Sequence, residues 1–380
     1  MQQTESQSPP VLFLIDTLAV GGSEKKTVAV STELSNRGRR VHIAYLNPPA
    51  PLAEWVDRRV PLVCLERRGK LSFAAIERLA EYVRVHEIRL ILCVNLYPMA
   101  YALAVQRALS RDALSFDVLI NVTDFVSLKH HFQMLVYRCL LSRARRIVFG
   151  CQAQLAKWRR VYRLNGARCT YIYNGVDVDK YQKGAVSGNR DEWLRRWGLD
   201  PSAFIVGSIG RLRKEKNHQD LIRVLGRLVA RGIDAQCLIV GDGPERDALR
   251  AMAARLGLRD RIVFAGVLAD VRPALLAMDV FVLTSKAVET FSNAALEAMA
   301  MARPVVLSDV GGAREMIAEG AANGYVYPNG DVDRLGQILE LIHDRPDLRR
   351  ALGDAGRVMV EERYSFSHMV DEYERLAFGK

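Results

Sequence analysis

Long apolar runs are missing from this 380-residue chain. The longest, around Ile205 and Leu238, fall well short of the roughly 20 residues that a membrane-spanning helix needs, so no such span is expected. The opening segment MQQTESQSPP has neither the basic start nor the apolar centre of a secretory signal, and a cytoplasmic protein is expected from it. Cysteine is sparse: Cys64, Cys93, Cys139, Cys151, Cys169 and Cys237 lie far apart, with no C-x-x-C pair. That spacing argues against a zinc knuckle or a disulfide framework and for reduced thiols, most of them in cores. No low-complexity tract and no short-period repeat is visible. What is there is a globular balance, 49% hydrophobic against 26% charged, which excludes disorder and a coiled coil. The length suits two domains.

Charge is unevenly spread. Residues 1–190 hold 28 Lys plus Arg against 15 Asp plus Glu, while residues 191–380 hold 26 against 28. The basic half groups its cations at Arg37–Arg40, Arg58–Arg59, Arg67–Arg68, Arg143–Arg146 and Lys157–Arg160. Such a field suits polyanions, anionic lipid headgroups or acidic substrates, and equally a set of solvated helix faces. In the last cluster Trp158 stands among the cations, and the expectation is that it sits at the headgroup level of a bilayer. Nucleic acid is not the expected partner, because no helix-turn-helix, zinc finger or aromatic RNA-binding pattern accompanies the charge.

Short β-branched runs alternate with helical patterns. Residues 11–16, 41–46, 90–94, 118–122 and 146–150 read as strands of one series; 203–210, 236–243, 261–266, 280–285 and 304–309 read as strands of a second. Their apolar runs are continuous instead of alternating, which indicates parallel strands covered by helices on both faces. The fold class is therefore α/β, with two doubly wound domains in tandem: 1–185, 186–362, and a terminal helix at 363–380 that packs back on the first. Ligands of such sheets bind beyond the carboxyl ends of the strands, so the strand-end loops, facing each other across a cleft, are where chemistry is expected.

On the first such loop, Gly21 and Gly22 allow a sharp turn, and Ser23 is placed to cap the helix whose amides would meet an anion; a plain turn fits the same residues. There is no G-x-G-x-x-G, which disfavours a nicotinamide enzyme. On the first loop of the second domain, G-R-L-R-K-E-K-N-H sets Gly210, Arg211 and Lys216 before a helix, where cations and a helix start could hold a diphosphate. The next strand ends in G-D-G-P, with Gly241 as suited to a tight turn as to a nucleotide. The segment S-K-A-V-E-T-F-S-N-A-A-L-E says more. It places Glu289 on a loop, the amides of Phe291, Ser292 and Asn293 at a helix start, and Glu297 about two turns on. Carboxylates accept from vicinal hydroxyls and free amides meet anions, a combination that fits a nucleotide sugar.

That block, with the M-A-R-P-V-V-L-S-D-V-G-G that follows it, resembles the E-x7-E signature of the retaining GT-B glycosyltransferases of family 4, the group 1 glycosyl transferases. G-G-S-E-K, S-I-G-R-L-R-K-E-K-N-H, N-G-V-D at 174–177 and G-D-G-P resemble other motifs of the family, in order, so the likeness spans nearly the whole chain. The resemblance implies a GT-B fold of two Rossmann-like domains facing across a cleft, with Arg211 and Lys216 on the donor diphosphate. It implies Glu289 on the donor-sugar hydroxyls, Glu297 on the ribose, Gly21 and Gly22 beside the phosphates and acceptor, and the 291–293 amides completing the cradle. The donor would be a UDP- or GDP-sugar and the acceptor a glycan or a lipid-linked glycan at the inner face of the membrane. No metal or other cofactor is expected, since arginine, lysine and helix dipoles can neutralise the leaving diphosphate. The Asp177–Asp179 pair is read as structural.

One departure stands out. Members commonly carry a His after the strand that here reads V-L-I-N-V; this chain has Thr123 at that position, followed by Asp124. His130 and His131 read as surface or acceptor-side residues of the next helix and not as replacements. The competing readings are a nucleotide-sugar 2-epimerase-like enzyme and a nucleotide-sugar binder that has lost its activity.

Overall fold

The computed structural model describes residues 8–69, 71–109, 114–121, 128–287 and 289–379. Two parallel sheets carry the fold. The first is built from β1 (Val11–Ile15), β2 (Val41–Tyr45), β3 (Leu62–Cys64), β4 (Leu90–Val94), β5 (Ser115–Ile120), β6 (Ile147–Phe149) and β7 (Cys169–Tyr171), in the order β3-β2-β1-β4-β5-β6-β7. Val11 faces Val41 on one side and Leu90 on the other, and β1 and β4 are buried throughout. Continuous burial of this kind needs helices on both faces, which explains the unbroken apolar runs.

The second sheet contains β8 (Phe204–Ile209), β9 (Ala235–Val240), β10 (Ile262–Gly266), β11 (Val280–Leu283), β12 (Val305–Ser308) and β13 (Gly324–Tyr327), in the order β10-β9-β8-β11-β12-β13. Both sheets reverse their winding in the middle, between β1 and β4 in one and between β8 and β11 in the other. Such a switch point opens a crevice at the carboxyl ends of the two central strands. The ten expected strands are present. Three more, β3, β7 and β13, have only three or four residues and at least two partly exposed positions each, too little apolar pattern to stand out in sequence.

The chain forms two compact units, residues 1–172 with 369–380, and residues 173–368. The boundaries expected from sequence fall later for the first division, at 185/186, and earlier for the returning segment, at 363. The reason lies in the N-G-V-D stretch, which the second unit captures. Tyr173 packs against Phe291 at 4.7 Å and edge-on to Tyr364 at 5.3 Å, and Asn174 donates to the Phe291 carbonyl at 2.8 Å. Arg190, farther along, bonds Asp279 at 2.8 Å. The Asp177 carboxylate accepts from the amides of Asp179 and Lys180, an Asx turn that gives the D-V-D a structural role.

Trp158 overturns an expectation. It lies on the Gln152–Tyr162 helix at 1% exposure, edge-on to Phe149 and Tyr162 at 5.7 and 5.1 Å, and is a core residue of the first unit. Only its charged neighbours reach solvent, because one face of the helix is apolar and the other is not. Among the described residues no helix is long and apolar enough to cross a membrane.

Candidate active site

In the second unit, the chain leaving β8 crosses Gly210 and an exposed Arg211, then turns through the short 3-10 helix Lys214–Lys216. Buried Leu212 pins this loop: its amide donates to the Asp242 carbonyl at 2.9 Å, and its own carbonyl accepts from Glu245 at 3.0 Å. The G-D-G-P turn sits backbone to backbone against it. A Cβ on Gly241 would come within 2.0 Å of the Gly210 carbonyl oxygen, and one on Gly243 within 2.4 Å of that of Leu212. Gly241 therefore has a packing role that is sufficient by itself to require glycine. A Cβ on Gly210 would meet nothing within 4 Å, so that backbone faces open space.

The loop leaving β11 arrives beside it. Lys286 donates its amide to the Glu215 carbonyl at 2.8 Å, and the Thr284 hydroxyl donates to the Lys216 carbonyl at 2.9 Å. These ties bring the Lys216 ammonium onto the Glu289 carboxylate, which also accepts from the Ser285 hydroxyl at 3.0 Å. Lys216 and Glu289 are 73 positions apart in sequence yet share the switch point, at 23% and 13% side-chain exposure. Both are within reach of a ligand and held by the protein.

Past Glu289 the chain enters the Asn293–Ala300 helix, capped by Ser292, whose hydroxyl accepts from the Ala295 amide at 3.3 Å. The Phe291 ring is buried against Tyr173 and Tyr364, so only its backbone can serve a ligand. Among the described residues the amides of Phe291, Ser292 and Asn293 have no protein acceptor, as the first amides of a helix do not unless something caps them. Glu297 lies on the same helix and takes a hydrogen bond from the Tyr181 hydroxyl; burial and this carboxylate push the Tyr181 phenol above its usual range. His218, which opens the His218–Ala230 helix just after the Lys214–Lys216 turn, is buried and held down at about 4, first by burial and then by the positive charge of Lys216. It is neutral at pH 7 and adds no charge to that of Lys216 and Arg211.

The support beneath Glu289 goes beyond what the sequence motifs predict. Gly311, at φ +61°, follows β12 so closely that a Cβ there would lie 2.1 Å from the Glu289 carbonyl oxygen, and the Gly312 amide donates to the Thr290 carbonyl at 2.7 Å. The D-V-G-G that closes the signature block is the signal for it. Ser285 carried no signal, being one serine among many.

In the first unit, Gly21 is itself the cap residue of the Gly22–Asn36 helix, and Ser23 lies inside the first turn, where it does not cap. A Cβ on Gly22 would meet nothing within 4 Å. Lys26, one turn in, points back along the sheet and donates to the Asn121 side chain at 2.8 Å; burial lowers its ammonium to about 8. Asn121 in turn donates its amide to the side chain of Asn95, which immediately precedes the Leu96–Ala108 helix at φ +70°, an uncommon conformation for a non-glycine residue. Lys26, Asn95 and Asn121 thus link the carboxyl ends of β1, β4 and β5, and none was singled out from sequence. Thr123 and Asp124 lie outside the described residues. His130 and His131 fall on the Leu128–Leu141 helix. Among the described residues, no group of three or more His, Cys, Asp or Glu side chains is placed to hold a metal ion.

Residues 20–180 match the model of Glycosyltransferase Family 4, and residues 189–359 match that of Glycosyl transferases group 1. The chain belongs to the group 1, family 4 glycosyltransferases. Among curated relatives of this family, the chain is 29% identical to an alpha-D-kanosaminyltransferase of Streptomyces kanamyceticus, over 51% of this chain and 50% of that one. It is 33% identical to the lipopolysaccharide core biosynthesis glycosyltransferase LpsE of Rhizobium meliloti, over 47% and 51%. The chain spans about half the length of the curated relatives it matches. The structure of Anabaena HepE in complex with UDP superposes with a TM-score of 0.83 over 97% of this chain and 99% of that one, at 21% identity, which places this fold in the GT-B class.

Proposed function

We propose that this family 4 chain is a retaining, metal-independent glycosyltransferase that moves a sugar from a nucleoside diphosphate to an acceptor hydroxyl. The observation that carries the reading is the contact between Lys216 and Glu289 at the β8/β11 switch point. It puts a cation suited to phosphate beside a carboxylate suited to sugar hydroxyls, one group length apart. In the absence of donor each neutralises the other. A bound donor would take the ammonium onto its diphosphate and leave the carboxylate for the sugar ring.

Arg211 and the amides of 291–293 would share the diphosphate charge, and Glu297, now bonded to Tyr181, would exchange that partner for the ribose hydroxyls. Fixed cations and aligned amides stabilise the charge that develops as the diphosphate departs, the task a divalent ion performs elsewhere. The acceptor hydroxyl can pass its proton to the departing phosphate on the same face of the sugar, which retains configuration and needs no side-chain base. Lys26, Asn95, Asn121 and the open backbone at Gly22 are the acceptor-side groups of the first unit. The name of the Rhizobium relative and the basic first half of the chain support a glycan or lipid-linked acceptor at the inner face of the membrane.

The test incubates the full chain with labelled UDP- and GDP-sugars and candidate glycan acceptors in excess chelator, and reads the anomeric configuration of the product by NMR. Transfer with retained configuration at full rate in chelator is expected. An inverted product, transfer that returns only with magnesium or manganese, or epimerised donor without acceptor would overturn it.

A further inference from the structure

The first unit holds a cationic cavity at the wrong end of its sheet for the transfer reaction. Ile147 opens β6 and Arg168 immediately precedes β7, so the cavity they line lies at the amino ends of the strands. Gly22, Asn95 and Asn121 lie at the carboxyl ends, a strand length or about 15 Å away. The space measures about 680 Å³, the size of a small-molecule site and more than an inorganic ion fills. Its floor is apolar, from Leu141, Ile147 and Leu164; its rim is Arg138, Arg163 and Arg168. A second hollow of about 460 Å³ continues past Arg168 and adds Arg107 and Arg143.

These five arginines are gathered at two adjoining hollows with no acid among them. Several other guanidinium groups of this unit are matched, among them Arg37 and Arg39 with Glu374, Arg78 with Glu66, and Arg145 with Asp117. Among the described residues no carboxylate lies within ion-pair distance of Arg107, Arg138, Arg143, Arg163 or Arg168, and no acidic residue lines either hollow. A helix dipole would recruit Arg107 and Arg138, which sit in last turns. It does not recruit Arg143 and Arg168, which stand on the connections into β6 and β7. Arg163 is held at the mouth by a left-handed backbone, φ +50°, that turns the chain back over the cavity. Arg168 is fixed by donating to the carbonyls of Ser142 and Ala144 at 2.5 and 3.3 Å, which leaves the rest of its fork for a ligand.

We infer that this cavity binds a phosphate-headed ligand with an apolar stem, at a site separate from the donor and acceptor ends. Several guanidinium groups converging without a carboxylate suit a doubly charged phosphate, and the leucine and isoleucine floor suits what the phosphate is attached to. A lipid phosphate in the bilayer and a soluble phosphomonoester share that chemistry.

The test titrates pyrophosphate by calorimetry into the full chain, into R138Q/R163Q and into R211Q/K216Q. Arg138 and Arg163 are exposed, and among the described residues their side chains bond nothing, so the first variant should melt as the parent does. Expected is a pyrophosphate site that survives in R211Q/K216Q and weakens by about tenfold or more in R138Q/R163Q. Co-sedimentation with phosphatidic acid vesicles then identifies the source. Retention lost in R138Q/R163Q and displaced by pyrophosphate points to a lipid headgroup, and pyrophosphate binding without retention points to a soluble ligand. Pyrophosphate affinity unchanged in R138Q/R163Q, or abolished entirely in R211Q/K216Q, would overturn the inference.

Discussion

Lys216 and Glu289 answer each other across two loops, so substituting either removes a proposed donor contact and also unpairs its neighbour. Lys216→Ala and Glu289→Ala are each expected to lower transfer about a hundredfold or more, the roughly 2 to 4 kcal/mol that an oriented charged contact contributes to a transition state. Because the two act as one pair, the double variant should fall short of the product of the singles, by the coupling expected of groups in contact. Circular dichroism should show both folded, and a double variant that multiplies the two losses would separate the roles. Two histidines set a different dependence. His42 is buried against Tyr82, with its ring lowered to about 4 by burial and then by the charges of His86 and Arg40, and His218 is lowered to about 4 in the second unit. Folded pKa values below the unfolded 6.5 mean that the unfolded chain binds more protons between pH 4 and 6.5, so stability falls as pH drops through that window. At pH 5 each should cost about 2 kcal/mol relative to neutral pH. Denaturant melts at pH 7 and pH 5 measure it, and equal midpoints would remove both groups from the account.

At the scale of elements, the site rests on glycines used in opposite ways. Gly311→Ala would force a Cβ against the Glu289 carbonyl in a left-handed backbone, and is expected to cost about 2 kcal/mol or more and to carry transfer down with it. Gly22→Ala meets no neighbour and starts a helix, so stability should hold or rise slightly. If Gly22 leaves room for a ligand, activity drops in that variant while its melting temperature does not, and full activity would make Gly22 a plain turn residue. Such distinctions show where sequence reading reached and where it stopped. The ten expected strands and the E-x7-E loop were legible because each is a local pattern, a continuous apolar run for the strands and a fixed spacing of carboxylates for the loop. Lys26, Asn95 and Asn121 were not, since their meeting depends on three separated strands ending at one level of the sheet. Trp158 was misread because the cations beside it in sequence point away from it on a helix, and adjacency along a chain says little about which face a side chain takes.

For the whole molecule, the notable fact is that the chain leaves its first unit at residue 172 and comes back at 369. The returning twelve residues bury Val370, Tyr373 and Leu376, and the Tyr373 ring packs 6.5 Å from Phe13 in β1 of the first sheet. Asp371 and Glu374 take the guanidinium groups of Arg37 and Arg39, and the Leu376 carbonyl accepts from Arg145 at 2.9 Å, completing the set that includes buried Asp117. Removing residues 369–380 would uncover three large apolar side chains' worth of core, about 5 kcal/mol by surface burial, and unpair cations in a half that is already basic. The second unit loses none of its own core, and with it keeps Arg211, Lys216, Glu289 and Glu297. The truncated chain is therefore expected to melt in two steps, the first at lower temperature than anything in the parent. UDP should raise only the upper step, by mass action on the unit that binds it, while transfer is lost. A single unshifted transition would deny the segment its stabilising role, and a UDP effect on the lower step would place nucleotide binding on the wrong unit.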